Sequence, residues 1–189
     1  MKKLLFILSF VVLSLGCFAQ DKVKEEIPES KSDAVAFLTK EGTFLKKDFY
    51  DLTNVKGVEF QVLVITDVNN TKKIACLRLI TKYKSSYTSD TYIGTLDSDE
   101  IDECINALNH ILNVLMPTIP DTYTEVSYKT KDGVEIGAYC DEGKNKWTVF
   151  VKTKSYTSRS TEWFGADNLP NLITRLTEAK DMITAKLAN

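Results

Sequence analysis

The chain carries one unusual pattern twice. KYKSSYTSDTY begins at Lys82 and KTKSYTSRSTEW begins at Lys152, and each is Lys-x-Lys followed by a tract of Ser, Thr and Tyr. Similar stretches before and after the two tracts follow in the same order, at offsets that shrink from 76 to 68 residues. Short insertions and deletions in hairpin loops produce such drift, so the sequence predicts one structural unit present twice.

Each copy of the unit is predicted to contain four strands and a helix. In the first copy, residues 57–67 and 73–84 are rich in β-branched and other apolar residues, and residues 97–116 repeat apolar side chains on one helical face. In the second, residues 122–130 alternate, Lys131-Asp132-Gly133 is hairpin-turn chemistry, and a helical pattern follows Asp167. We therefore expect an α+β fold, with a tandem duplication of a ββββα unit forming one curved antiparallel sheet and two long helices packed on one face. Repeat one covers about 43–116 and repeat two about 122–187, within a single domain of residues 34–189.

The first half is predicted to be apolar on both faces of its strands, whereas the second half is apolar on one. Residues 34–52, read as two strands or as a short helix at residues 34–40 followed by one strand, are expected to cover the additional face. An exposed patch serving a dimer or a lipid-like ligand is the alternative. Asp97 and Glu100 are spaced as a capping box for the first long helix.

The N-terminus has the pattern of an export signal. Two lysines precede an apolar run from Leu4 to Leu15, and small residues follow it. The run is shorter than the about 20 residues of a membrane span. We expect a signal peptide at residues 1–19, a flexible linker at 20–33 and an exported protein that is periplasmic or extracellular. Lipid anchoring through Cys17 is the alternative.

The net charge and the number of cysteines argue against a nucleic-acid-binding protein and against a disulfide-rich one. After removal of residues 1–19, 22 basic and 26 acidic side chains remain, so the net charge of −4 and the lack of a basic block disfavour nucleic acid as a partner. Cys76, Cys104 and Cys140 are odd in number and lie in apolar stretches of sequence, so we expect buried thiols. One disulfide between two of them is the alternative.

Catalytic signatures are missing from the sequence. It contains no GxSxG, GxGxxG or phosphate-binding loop, and its single histidine, His110, falls off the apolar stripe of a helix. The acidic run at residues 97–103 suits a helix N-terminus and lacks the spacing of a calcium loop. We expect no enzyme activity, no metal and no cofactor; a hydrolase with an unidentified carboxylate pair is a further alternative.

The two Ser/Thr/Tyr tracts are the candidate binding elements, because aromatic faces beside hydroxyls and cations suit sugar or peptide recognition. The candidate ligand-binding residues are Lys82, Tyr83, Lys84, Tyr87, Tyr92, Lys152, Lys154, Tyr156, Arg159 and Trp163. We expect a non-catalytic binding module of the cell envelope that uses its open sheet face or these loops. Its partner would be a small ligand, a glycan or an envelope protein. The alternative is a structural or oligomerising module that forms a homodimer through an apolar protein interface.

Overall fold

The computed structural model of the chain describes residues 29–188. Its helices and strands, in chain order, are α1 (Asp33–Thr39), β1 (Leu45–Val55), β2 (Val58–Asp67), β3 (Lys73–Lys84), β4 (Ser89–Asp97), α2 (Ile101–His110), β5 (Thr124–Lys129), β6 (Glu135–Cys140), β7 (Trp147–Lys152), β8 (Thr161–Gly165) and α3 (Leu169–Ala188). A π-helical turn, Ile111–Leu115, extends α2 and ends just before Pro117, where the sequence predicts the helix to stop. After α1, four strands and a helix follow twice.

The strands form two antiparallel sheets, with orders β1-β2-β3-β4 and β5-β6-β7-β8. The α+β class is confirmed, whereas the predicted single curved sheet is not. The backbone of Thr95 on β4 shows a physical reason. Its N–H donates to Asp132 Oδ2 at 3.0 Å, and its carbonyl accepts from Thr130 Oγ1 at 3.1 Å. Side chains near the β5–β6 turn thus form hydrogen bonds with backbone groups of β4 that a fifth strand of the same sheet would need for pairing.

One apolar core joins both sheets to the two long helices. α3, which follows the second sheet, packs against β1, β2 and β3, whereas α2, which follows the first sheet, packs against β5 and α3. Each helix therefore contacts strands of the other half. In the helical pattern that follows Asp167, the apolar residues Leu169, Leu172, Leu176 and Ile183 of α3 are buried, while Leu187 is exposed.

The outward side of the first sheet is partly covered by α1. Leu63, Ile65 and Cys76 point away from the main core and are nevertheless buried. α1 packs on them through Ala34, with Phe37 at the margin. Residues 34–40 thus form the short helix that the sequence allowed as an alternative to a strand. The apolar side chains beneath α1 are covered within the chain.

α2 begins later than the predicted start at Asp97. The Glu100 carboxylate accepts the Asp97 N–H at 2.9 Å, as a capping box requires, but the Asp97 side chain does not return the bond. Its Oδ1 accepts from Ser32 Oγ at 2.7 Å and from the Ala34 N–H at 3.2 Å, and its Oδ2 accepts the Asp33 N–H at 2.7 Å. Asp97 therefore anchors the start of α1, a partner that no local pattern indicates.

Several predictions fall on other parts of the chain. The signal peptide at residues 1–19, Cys17 and most of the linker at 20–33 lie outside the described residues. The described end of that linker is anchored, because Ser32 is buried and caps α1.

Cys76, Cys104 and Cys140 are buried free thiols, so the disulfide that the sequence allowed between two of them does not form. Burial raises the pKa of Cys76 and of Cys104 to about 12.

Candidate functional site

The two repeated tracts contact each other. The Arg159 guanidinium lies 5.1 Å from the centre of the Tyr83 ring and 3.6 Å from the Asp90 carboxylate, and the Tyr92 hydroxyl lies 3.4 Å from Asp90. Three predicted binding residues thus meet at one place. Nearby, buried side chains of the two halves meet through their own hydroxyls: Thr81 Oγ1 lies 2.8 Å from Thr153 Oγ1. These contacts join the two halves of the chain.

Three further predicted residues lie apart from that cluster. Lys82 forms an ion pair with Glu59 on the outward face of the first sheet. Lys84 is exposed, and Tyr87 stands at the tip of the β3–β4 turn with 96% of its surface accessible. Since a lone aromatic side chain on a turn has no concave surroundings, this region offers little to hold a ligand.

Lys154 and Tyr156 line a cavity of about 430 Å³ between residues 29–31, the 129–133 turn and residues 154–156. Lys131 and Lys154, two of its four lysines, already have ion-pair partners. Lys154 Nζ lies 3.2 Å from Asp132, and Lys131 Nζ lies 2.7 Å from Asp99. The ionic groups of this cavity therefore hold the chain's own segments together.

The last two predicted residues, Lys152 and Trp163, lie in a groove across the outward face of the second sheet. The groove has a volume of about 290 Å³, at the lower end for small-molecule sites. We call it the aromatic groove; it is lined by Tyr123, Glu125, Glu135, Tyr139, Phe150, Lys152, Ser158, Thr161 and Trp163. Four of these side chains are aromatic, and they come from all four strands of the sheet or their ends.

Strand register places these side chains side by side. Glu125 pairs with Tyr139, Glu135 with Lys152, and Phe150 with Trp163. Since alternate residues of a strand share a face, each strand contributes its outward set to the groove. Three strand spacings separate β5 from β8, which gives a width of about 14 Å.

The floor and the walls of the groove differ in exposure. Phe150 is only 5% exposed although it lies on the outward face, whereas Trp163 and Tyr123 are each 54% exposed. The rings of Tyr123 and Tyr139 stand 6.1 Å apart with an angle of 34° between their planes. Gly137, beside Phe150, lets β5 approach closely, because a Cβ there would clash with the Val126 carbonyl oxygen. The face is thus a shallow aromatic surface rather than a deep pocket.

The polar groups of the groove are partly engaged with one another. The Tyr123 hydroxyl donates to Glu125 at 2.6 Å, and this bond raises the pKa of Tyr123 to about 12. Lys129 Nζ lies 3.1 Å from Glu135. Each carboxylate has further lone pairs that can accept hydrogen bonds from a ligand.

An acidic cluster lies elsewhere, near the start of α2. Carboxylate oxygens of Asp97, Asp99 and Glu100 all lie within 4.8 Å of one another. Lys131 Nζ lies 2.7 Å from Asp99 and 3.8 Å from Asp97, so the chain's own ammonium group sits among them. Burial raises the pKa of the Glu100 carboxyl, whose oxygens accept the backbone N–H groups of Asp97 and Lys131. His110, at the end of α2, is exposed.

Sequence reasoning found two members of the aromatic groove and missed the others. Tyr123, Glu125, Glu135, Tyr139 and Phe150 lie outside the repeated tracts. The alternation of β5, β6 and β7 carries the signal, since all five share the outward phase opposite the apolar core residues. Reading that phase across the three strands would have found them.

No family model, curated protein or solved structure matches this chain. Among the helices of residues 29–188, none has the length and apolar character needed to cross a membrane.

Proposed function

We propose that this protein is an exported, non-catalytic binding module of the cell envelope and that its aromatic groove is the binding surface. The observation that carries the proposal is the exposure of aromatic side chains on the outward face of a regular antiparallel sheet. Solvent-facing positions of an antiparallel sheet are normally polar. Here Trp163 and Tyr123 are half exposed, in a groove that Tyr139 and the buried Phe150 also line.

Export is proposed from the N-terminal sequence. The signal pattern of residues 1–19 supports a periplasmic or extracellular location, with lipidation of Cys17 as the alternative. The described part of the chain begins at residues 29–31, which lie against the 129–133 turn, whereas the proposed surface is on the outward face of the second sheet.

We also propose that the two halves arose by tandem duplication. The repeated order of four antiparallel strands and a helix supports this, as do the paired tracts at Lys82 and Lys152. The halves differ in what lies outside each sheet: α1 covers part of the first, and the aromatic groove lies on the second. Duplication followed by specialisation of one outward face accounts for both observations.

The oligomerising alternative gains little support. It rested on apolar residues of the first half, and Leu63 and Ile65 are buried beneath α1. A hydrolase has one specific observation in its favour, since Glu125 and Glu135 line the same groove. Both carboxylates already have partners within the chain, at Tyr123 and Lys129, so we propose binding in preference to hydrolysis. Release of reducing ends from a bound glycan would favour the hydrolase.

Native mass spectrometry of the protein purified from its own host tests the proposed function. We expect a bound mass on the parent chain, lost in the variant Trp163→Ala. The matched control is Phe49→Ala, because Phe49 is 50% exposed on the outward face of the first sheet, outside the groove. A bound mass that survives in Trp163→Ala, or that both variants lose, would contradict a role for the groove, and a parent chain with no bound mass would contradict the proposed function itself.

A further inference from the structure

We infer that the aromatic groove takes an uncharged oligosaccharide. This inference rests on the proposed function and names its ligand class. Three properties of the groove lead to it: the arrangement of its rings, the chemistry of its polar groups and the balance of its charges.

The rings form a platform rather than a cage. Rings that enclose a cation stand at steep angles to one another, but the planes of Tyr123 and Tyr139 differ by only 34°. Trp163 lies on β8, the edge strand on the opposite side of the sheet from Tyr123, in register with Phe150 on β7. Aromatic faces are electron-rich, so they attract the partly positive C–H groups on the flat side of a sugar ring. A shallow surface with several such faces suits the stacking of sugar rings.

The polar groups match the hydroxyls of a sugar. Glu125 and Glu135 offer carboxylate oxygens, which form short, strong hydrogen bonds with O–H donors. Lys152, Ser158 and Thr161 add donors on the same groove. Every hydroxyl of a sugar can donate and accept, so this mixed set can satisfy several of them at once.

The charges of the groove nearly cancel. Its two acidic residues, Glu125 and Glu135, face Lys152 within the groove and Lys129 at its margin, where Lys129 Nζ lies 3.1 Å from Glu135. A strongly anionic glycan would meet two carboxylates, and a cationic ligand would meet two ammonium groups. An uncharged chain avoids both conflicts. The width of about 14 Å exceeds one sugar ring and favours an oligomer.

Tryptophan fluorescence gives a direct test. Trp147 is 5% exposed and donates to the Thr118 carbonyl oxygen, whereas Trp163 is open to solvent. The variant Trp147→Phe therefore reports on Trp163 alone. Its quenching by acrylamide is measured with cellohexaose, maltohexaose, xylohexaose, mannohexaose and chitohexaose, each in turn, and with tetramethylammonium as a cationic probe. We expect at least one hexasaccharide to shield Trp163, with saturation.

Variants then assign the binding to the groove, with calorimetry as a second readout. In the parent chain, Trp163→Ala should weaken the binding of that hexasaccharide by about tenfold or more, as loss of an aromatic anchor does. Tyr139→Ala and Glu125→Gln should weaken it as well. Phe49→Ala, the matched control on the first sheet, should leave the affinity unchanged.

The results separate this inference from the proposed function. Shielding by a hexasaccharide that depends on Trp163 supports both. If tetramethylammonium or a host-derived bound mass that is not a sugar occupies the groove while all five hexasaccharides leave Trp163 accessible, the ligand class is overturned and the proposed function remains. Equal affinity of Trp163→Ala and parent for a hexasaccharide would overturn the assignment to the groove. If no hexasaccharide binds and the protein from the host carries no bound mass, both the inference and the proposed function are overturned.

Discussion

Replacing Asp97 by Asn is expected to release α1 from the first sheet while the rest of the chain stays folded. The buried carboxylate accepts three hydrogen bonds at the start of α1, from Ser32, Asp33 and Ala34. An Asn side chain keeps one acceptor oxygen but turns an N–H₂ group toward a backbone or hydroxyl donor. The charge that strengthens the remaining bonds is also lost.

The size of the effect follows from these contacts. A hydrogen bond to a charged group contributes about 1.5–3 kcal/mol, so Asp97→Asn should weaken the docking of α1 by about 2 kcal/mol. That corresponds to an about 30-fold larger population of the undocked helix. Few apolar residues of α1 contact the sheet, with Ala34 buried and Phe37 partly so, so the undocked state is a local opening rather than global unfolding.

The thiol of Cys76 reports on this opening because it lies beneath α1, whereas Cys104 lies in the main core. Burial holds the pKa of each thiol at about 12, so neither reacts readily while covered. Labelling with iodoacetamide, followed by peptide mass spectrometry, should show Cys76 reacting about 30-fold faster in Asp97→Asn. The control is Asp99→Asn, which removes an exposed carboxylate that pairs with Lys131. Unchanged labelling of Cys76, or equal acceleration of Cys76 and Cys104, would refute the reasoning.

Two further predictions concern stability. A Cβ at Gly94 would lie 2.6 Å from the Thr153 carbonyl oxygen, so Gly94→Ala should lower the unfolding free energy by about 2–3 kcal/mol in urea titrations. Gly57→Ala is the control, since the three atoms nearest to its Cβ would all belong to the Glu162 side chain, and a smaller loss at Gly94 than at Gly57 would contradict a tight junction between the sheets. Burial raises the pKa of Glu100 above its ordinary 4.5, so the stability that this group contributes is present below about pH 4.5 and is lost as the pH rises through the folded pKa. The unfolding free energy of the parent minus that of Glu100→Gln should therefore fall as the pH rises above 4.5, and a difference independent of pH would contradict this.

Local periodicity predicted most elements of the fold. Alternation placed Val62 and Leu63 on opposite faces of β2, and the structure buries them in separate clusters. The hairpin turn at Gly133 also agrees, with a φ of +83° that suits glycine. The division into two sheets could not be read from the sequence, because it depends on Asp132 and Thr130 bonding to the backbone of a strand about 35 residues away. The anchoring of α1 by Asp97 could not be predicted either, because Asp97 bonds to residues 63 to 65 positions earlier in the chain.

The candidate site was predictable only in part. The repeated tracts drew attention to Lys152 and Trp163, which do lie in the aromatic groove. They also drew attention to Tyr83 and Arg159, which the structure uses at the junction of the two sheets. Composition alone does not distinguish a hydroxyl-rich junction from a hydroxyl-rich binding loop. The strand register does distinguish them, because it shows which side chains share an open face.

The central claim is that the aromatic groove is occupied where the protein works. Hydroxyl-radical footprinting in intact host envelopes, compared with the purified and ligand-free chain, measures this without knowledge of the ligand. We expect Trp163, Tyr123 and Tyr139 to be protected from oxidation in the envelope, while Tyr87 and Phe49 are oxidised equally in both samples. Equal oxidation of the groove aromatics in the envelope and in the purified chain would contradict the claim.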